Sequence, residues 1–483
     1  MVLERKDIWL AEEADGPWNE LVLAYALAFG RLSGPPDPGK PPTWRIDYQA
    51  GVHDLRRLPP PTERFLATCQ HDTWYFLPWH RMYLLHYEAV VRAIIAELDD
   101  DRISDQTRET WALPYWNYQD RSHRILPQAF RDAVMPDGTP NPLAQADRLP
   151  LVQSGESPLS DDEVEFAGWW RETFFTLPEA PSFGGTDVGK RHRPFQFADA
   201  GALELTPHGS VHMYVGPDMA SFATAGTDPI FWLHHCNLDR LWEVWLGGSG
   251  RTNPTSGGWL TETFDFRDVE GATWTRTARQ VESTVELGYT YEDTSAPVAP
   301  PSPTRSREVE VPQPGADDWR RQLTPNTLGS TDEPIVVRSD PATVEFTLAP
   351  DDEVRTRSGR PGPARLILRV DNIAISAADL ERVSSRQAVI GTYAIYLKGV
   401  GSDDEAYVGN LPLFGLQESL SGDDRHELSY SFDATAAVNL LRNLACWSWE
   451  DVRIEIKPID HGRYAGAGDV VEVCFGNVAL SYQ

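Results

Sequence analysis

Histidine is the residue whose placement most constrains this chain. Of the 12 histidines in 483 residues, ten fall before residue 240, and they fall in groups. His208 and His212 are four apart, which puts both on one face of a helix, about 40° from each other. Alone, such a pair is as well read as a solvated helix face. About twenty residues later, in Asp228-Pro-Ile-Phe-Trp-Leu-His-His-Cys-Asn-Leu-Asp-Arg, imidazoles interrupt a strongly apolar helix start. That is costly unless something satisfies them. Adjacent residues on a helix point about 100° apart, so at most one of His234 and His235 serves a given site. A second group stands upstream: His53, His71 and His80. The nine-residue spacing from His71 to His80 is half a turn out of phase on one continuous helix. Pro78 relieves this by opening a new helix, with His71 on the element before it. His86 lies about 240° round from His80 and reads as structural.

Each group thus offers three imidazoles, with no paired cysteine and no closely placed carboxylate. Six neutral nitrogen donors suit copper or zinc rather than magnesium or calcium. Two such triads on a helical pair favour a coupled metal pair.

Helical spacing runs from Pro17 to Leu32 and again from Pro78 to about Leu98. Asp228-Pro229 is a capping residue followed by proline at the first helical position, opening a helix through Trp245. The stretch from Ala296 is Pro-rich and reads as a linker. Beyond Glu333 come short alternating runs separated by turn residues: Ile335-Val-Val, Val344-Glu-Phe-Thr-Leu, Ala364-Arg-Leu-Ile-Leu-Arg-Val, Gly391-Thr-Tyr-Ala-Ile-Tyr-Leu, Val452-Arg-Ile-Glu-Ile and Val470-Val-Glu-Val-Cys-Phe. This is the pattern of an antiparallel sandwich. The expected organisation is a mainly helical domain over 1–295, a linker over 296–330 and an all-β sandwich over 331–483. A net charge of −29 argues against nucleic acid or an anionic membrane as partner. The four cysteines are too few and too scattered for a disulfide framework. The charged start, Met1-Val-Leu-Glu-Arg-Lys-Asp, is unlike a signal peptide and suggests a cytoplasmic protein, or an extracellular one if a leader is missing.

These motifs resemble the tyrosinase, catechol oxidase (polyphenol oxidase) and molluscan haemocyanin superfamily of type-3 binuclear copper proteins. Trp44-Arg-Ile-Asp-Tyr-Gln-Ala-Gly-Val-His53 and Cys69-Gln-His71-Asp-Thr-Trp-Tyr-Phe-Leu-Pro-Trp-His80-Arg-Met-Tyr look like the first copper site. His208-Gly-Ser-Val-His212 and the Asp228 to Arg240 segment look like the second. Arg5 and Tyr289-Thr-Tyr291 are similar to further family landmarks. The resemblance covers residues 1–295, and the β-region resembles the C-terminal domain of latent members. It implies a four-helix-bundle core with long loops and two copper ions, one on His53, His71 and His80 and the other on His208, His212 and His235. His234 remains the alternative sixth ligand. It also implies a thioether between Cys69 and His71, for which the plain alternative is a small buried thiol. Asp239 is expected to orient an imidazole, or else to form a salt bridge along its helix. Phe231 matches an aromatic gate, and Glu204 a carboxylate that holds a water and accepts the phenolic proton. The alternative for Glu204 is a surface carboxylate at a helix start.

Gly209 and Met213 line the entrance by resemblance. Efficient monophenol hydroxylases often carry Asn where Gly209 stands. The implied activity is therefore oxidation of o-diphenols or o-aminophenols to quinones or quinone imines, with dioxygen reduced to water and weak monophenol hydroxylation. A separate copper-delivering protein is a candidate partner, and the oligomeric state is not set by the sequence. A haemocyanin-like oxygen carrier without turnover is the competing reading. Finally, Tyr407-Val-Gly-Asn-Leu-Pro-Leu-Phe-Gly-Leu-Gln reads as a loop presenting Leu413 and Phe414 as a plug for the copper pocket. If they are not a plug, they fill the sandwich core.

Overall fold

The computed structural model describes residues 2–54, 64–144, 147–164, 166–177, 181–189, 200–296, 326–331, 333–338, 340–348, 365–420, 428–459, 461–464 and 467–482. Most of the expected linker, 297–325, lies outside them. No helix among the described residues is long and apolar enough to cross a membrane.

The first layer is helical. Helix α1 (Glu20–Ser33) begins at Asn19, whose side chain accepts from the Val22 N–H, two residues inside the expected Pro17 start. Short α2 (Ile46–His53) ends on a histidine, and long α3 (Phe76–Ala96) carries His80. Pro78 lies in the first turn of α3, where its missing N–H costs no helical bond. Helix α4 (Ser210–Val215) follows a wider turn, Glu204–Gly209, and α5 (Pro229–Leu246) is capped by Asp228 as its Asp-Pro start predicts. Nearly every residue of α3 and α5 is buried, because these two helices pack together at the centre of an aromatic-rich core.

A buried ionic hub closes this layer. Strand β1 (Leu3–Arg5) pairs in parallel with β2 (Tyr289–Tyr291), bringing the two ends of the helical domain together. Fully buried Arg5 reaches Glu88 at 2.9 Å and Asp239 at 3.2 Å. Asp239 also accepts from Arg81, from the Tyr289 hydroxyl at 2.6 Å and from the Tyr291 hydroxyl. Its carboxylate is thus taken up by two arginines and two tyrosines, and among the described residues it meets no imidazole and no cation of its own helix. Burial alone would raise its pKa, but Arg81 and Arg5 more than offset this and hold it below the ordinary aspartate range.

The second layer is the β-domain. One antiparallel sheet contains β5 (Ala342–Phe346), β7 (Tyr393–Lys398), β8 (Glu405–Leu411) and β10 (Val452–Pro458), in the order β8-β7-β10-β5. The other contains β3 (Asn326–Ser330), β6 (Leu366–Ile375), β9 (Leu428–Asp433) and β11 (Val473–Tyr482), in the order β9-β6-β11-β3, with β4 (Ile335–Val337) also on β11. Alternate residues such as Leu368, Val370, Ile395, Ile454, Ile456 and Val478 fill one core between the sheets. The sandwich starts with Asn326 rather than at residue 331, since β3 already pairs with β11. The segment read as a loop from Tyr407 is in its first part strand β8. The turn shrinks to Pro412–Gly415, followed by the short helix α6 (Leu416–Ser419).

The β-domain is fastened to the helical domain by charge. Arg365 meets Glu172 at 2.9 Å, Arg386 meets Asp147 and Asp218 at 2.5 Å each, and Arg463 pairs with Glu163. Tyr396 adds a bond to Asp162 at 3.0 Å. Replacing Asp239 in the helical hub with Asn keeps its shape but leaves Arg5 and Arg81 short of a counter-charge. The expected cost is about 3–5 kcal/mol, read as a lower melting temperature; unchanged melting would show that the hub does not carry the closure.

Candidate metal centre

The six histidines predicted as ligands come together in two adjoining groups. In the first, His53 closes α2, His71 sits on the loop after Cys69, and His80 stands near the start of α3, with ring centroids 5.2–5.8 Å apart. In the second, His208 ends the wide turn, His212 is on α4 and His235 on α5, at 4.6–5.4 Å. The groups face each other: His80 stacks on His235 at 4.6 Å, and His71 lies 5.7 Å from His208. His234 belongs to the second group by proximity. Its Nδ1, however, contacts the Tyr118 hydroxyl at 3.1 Å, whereas Nε2 of His235 faces Nε2 of His212 at 3.1 Å.

Backbone carbonyls fix the ring orientations. Nδ1 of His53 donates to the Phe222 carbonyl (2.8 Å), that of His80 to Phe76 (2.8 Å), that of His208 to Glu204 (3.0 Å) and that of His212 to Met219 (2.7 Å). A neutral imidazole that donates through Nδ1 keeps its lone pair on Nε2. Burial holds these rings neutral, pulling His53 down to about 4 and His80, His208, His212 and His235 well below the ordinary range. Nε2 of His53 and of His208 is buried with no hydrogen-bond partner among the described residues. Convergent, buried, unsatisfied nitrogen lone pairs are what a metal ion completes, and an all-imidazole set suits copper.

Cys69 Sγ lies 3.4 Å from Nδ1 and 3.9 Å from Nε2 of His71, so it faces the ring edge between the two nitrogens. It is also 3.4 Å from Nε2 of His80, and burial pushes its thiol pKa well up. Glu204 is buried rather than on the surface. Its Oε1 accepts from the Asp72 N–H at 2.8 Å, and its Oε2 has no hydrogen-bond partner among the described residues. Burial, reinforced by the Asp72 carboxylate, raises it well above the usual range.

The Pro412–Gly415 turn of the β-domain enters the mouth of this centre. The Phe414 ring stacks on His212 at 3.9 Å and 14°, and stands edge-on to His208 and His71. Leu413 is buried in the apolar cluster shared by the two domains, with Leu205 and Phe222. Pro412 covers Gly209 so closely that a Cβ there would come within 2.7 Å of it. Met213 faces a small cavity between the domains, lined also by Leu149, Arg386 and Tyr464.

Phe231, matched to the gate by resemblance, is fully buried between His53, His212 and His235, and among the described residues makes no ring contact with Phe414. The aromatic at the mouth is Phe222, parallel to His71 at 4.4 Å and edge-on to Phe414 at 4.5 Å. Sequence reasoning missed Phe222 because it lies between the histidine motifs, on a connection with no periodicity to read.

A family model described as the common central domain of tyrosinase matches residues 44–180 and 169–247, and a domain of unknown function, DUF7868, matches residues 324–474. Tyrosinase HcTyr1 of Hahella sp. (strain CCB-MM4) is 30% identical over 477 residues, spanning 92% of this chain and 93% of that protein. The chloroplastic polyphenol oxidase of Malus domestica is 30% identical over 255 residues, covering 49% of this chain and 40% of that protein. Latent apple tyrosinase superposes over 100% of this chain and 97% of its own, with TM-score 0.61 and 19% identity. The chain belongs to the tyrosinase family of binuclear copper oxidoreductases. Its two histidine groups fit the family's two copper ions, and its helical core with a C-terminal β-region has the fold of the latent enzyme.

Because folding pulls His53 from 6.5 to about 4, the metal-free protein binds fewer protons than the unfolded chain between those values. Its stability should be fully present above pH 6.5 and fall steadily toward pH 4, with the other buried imidazoles adding to the slope. Thermal melts of the metal-free protein across this range check it; a flat profile would contradict the buried neutral cluster.

Proposed function

We propose that this protein oxidises o-diphenols or o-aminophenols and is held latent by its own β-domain. The observation that carries this reading is the Phe414 ring stacked on His212. It supports a pocket of the shape and apolar character to take a planar aromatic ring, and it stands where that ring would lie.

On this reading His53, His71 and His80 hold one copper and His208, His212 and His235 the other. The Tyr118 contact of His234 and the facing Nε2 atoms of His212 and His235 favour His235 as the sixth ligand. The bound copper pair supplies dioxygen binding and electron exchange; two diphenols give four electrons and four protons for each dioxygen reduced to two waters. The chain's own groups do the rest. A substrate ring in the place of Phe414 stacks on the His212 face and meets Phe222 edge-on, and these contacts keep water out. Glu204, a carboxyl whose proton affinity is raised by burial, takes the hydroxyl proton. Gly209 offers no side-chain amide to orient a water alongside Glu204, which favours diphenols over monophenols. The Cys69–His71 edge contact supports a thioether that locks the His71 ring.

The Phe414 ring contributes roughly 2 kcal/mol to closure, which is about a thirtyfold shift in the closed population. Phe414→Ala should therefore raise 4-methylcatechol oxidation by about an order of magnitude, with copper content unchanged; no increase would refute the plug. Oxygen uptake by the activated, copper-loaded protein should be far faster on 4-methylcatechol than on tyramine, and comparable rates would sink the diphenolase assignment. An oxygenated absorption band that persists with catechol present would instead favour a carrier. The thioether should appear as an intact mass lower by two hydrogens, and Cys69→Ala should abolish that difference.

A further inference from the structure

One connection supplies an orienting carbonyl to each histidine group. Residues 216–222 join α4 to the segment before α5; within them the Met219 carbonyl accepts from His212 and the Phe222 carbonyl from His53. These rings belong to different groups, so the position of this single connection sets the aim of Nε2 in both. Its own helical domain holds it through turns such as Ala220 N–H to the Gly216 carbonyl, through Asp218 N–H to the Asp147 carbonyl at 3.3 Å, and through the fully buried Met219 side chain. The β-domain holds it at two points. Oε1 of Glu418, on α6, accepts from the Ser221 hydroxyl at 2.6 Å and from the Phe222 N–H at 3.0 Å, and Arg386 pairs with Asp218. Glu418 is buried, a costly place for a carboxylate unless its bonds are well made. Gly415, at φ +84°, lets the chain turn from Phe414 into α6 against the Phe222 ring, where a Cβ would lie 2.5 Å from that ring.

We propose that Glu418 is a positioning residue for the metal centre: it clamps the 216–222 connection so that the β-domain controls copper retention at both sites as well as access to them. The clamp differs from the plug. Phe414 meets imidazole faces at the mouth, whereas Glu418 acts on the far side of the rings, through the peptide whose N–H it accepts and whose next carbonyl holds His53. Loss of such an outer partner typically weakens metal binding by about 10–100-fold. The inference rests on the copper-ligand reading above.

The test uses full-length protein loaded with copper and challenged with a chelator, following copper release by elemental analysis and folding by the melting temperature of the metal-free form. Glu418→Ala is expected to release copper about tenfold faster or more. Glu418→Gln, whose amide oxygen accepts the same two bonds, should stay close to wild type. Phe414→Ala, which uncovers the mouth but leaves the clamp, should release copper more slowly than Glu418→Ala; equal rates would show that exposure alone explains the loss and would overturn the clamp. If Glu418→Ala does not fold, Ser221→Ala removes the shorter bond, and unchanged release in that variant is equally contrary. Full copper stoichiometry in wild type with unchanged release from Glu418→Ala overturns the clamp alone. Failure of wild type to take up two coppers overturns the copper reading and the clamp together.

Discussion

Four backbone carbonyls accepting from four imidazole Nδ1 groups are the constraint on which the rest of the site depends. They choose the tautomer and aim Nε2 inward, which leaves the lone pairs of His53 and His208 without a partner among the described residues. The helical core exists in a form that makes this affordable. Helices α3 and α5 are buried on almost every face, so the neutral rings sit among Trp, Tyr and Phe side chains that cannot compete for them. The Arg5–Asp239–Tyr289–Tyr291 hub keeps the two ends of that domain together from behind the rings, taking no ligand from the centre.

The β-domain completes the centre as well as covering it. Arginines 365, 386 and 463 meet carboxylates of an acidic helical domain, which orients the sandwich. That docking delivers two different side chains to the metal region: an aromatic ring at the mouth and a carboxylate behind the 216–222 connection. A pocket that must admit a planar substrate and also exclude water is well served by a segment that can leave. A set of ligands oriented through one short connection is well served by a segment that stays. Whether one docking event does both is decided by how far the Pro412–Gly415 turn can withdraw while α6 remains seated.

The histidine groups were legible in the sequence because their signals are local: four-residue and nine-residue spacings, a proline that resets helical phase, and an Asp-Pro cap. The β-strands near residues 335, 344, 366, 393, 452 and 473 were legible from alternation. Strand β8 was not, because Gly409 and Asn410 dilute its pattern, and Tyr407–Leu411 was read as part of a loop. The partners of Asp239 were not legible, because helical spacing gives direction along one helix, while Arg5, Tyr289 and Tyr291 come from the far ends of the domain. Phe231 was matched to the gate by resemblance; Phe222, the aromatic that meets Phe414 at the mouth, is marked by no periodic motif. Glu418 was invisible for the same reason, since its importance comes entirely from a contact across nearly two hundred residues.

The central claim is that six imidazoles, and no sulfur, hold two copper ions beneath the β-domain. X-ray absorption at the copper edge, on full-length protein titrated with copper to saturation, tests it most directly. The account predicts saturation at two coppers per chain, with nitrogen or oxygen neighbours only and Cys69 absent from the first coordination sphere. Saturation at one copper, or a directly bonded sulfur, would contradict it.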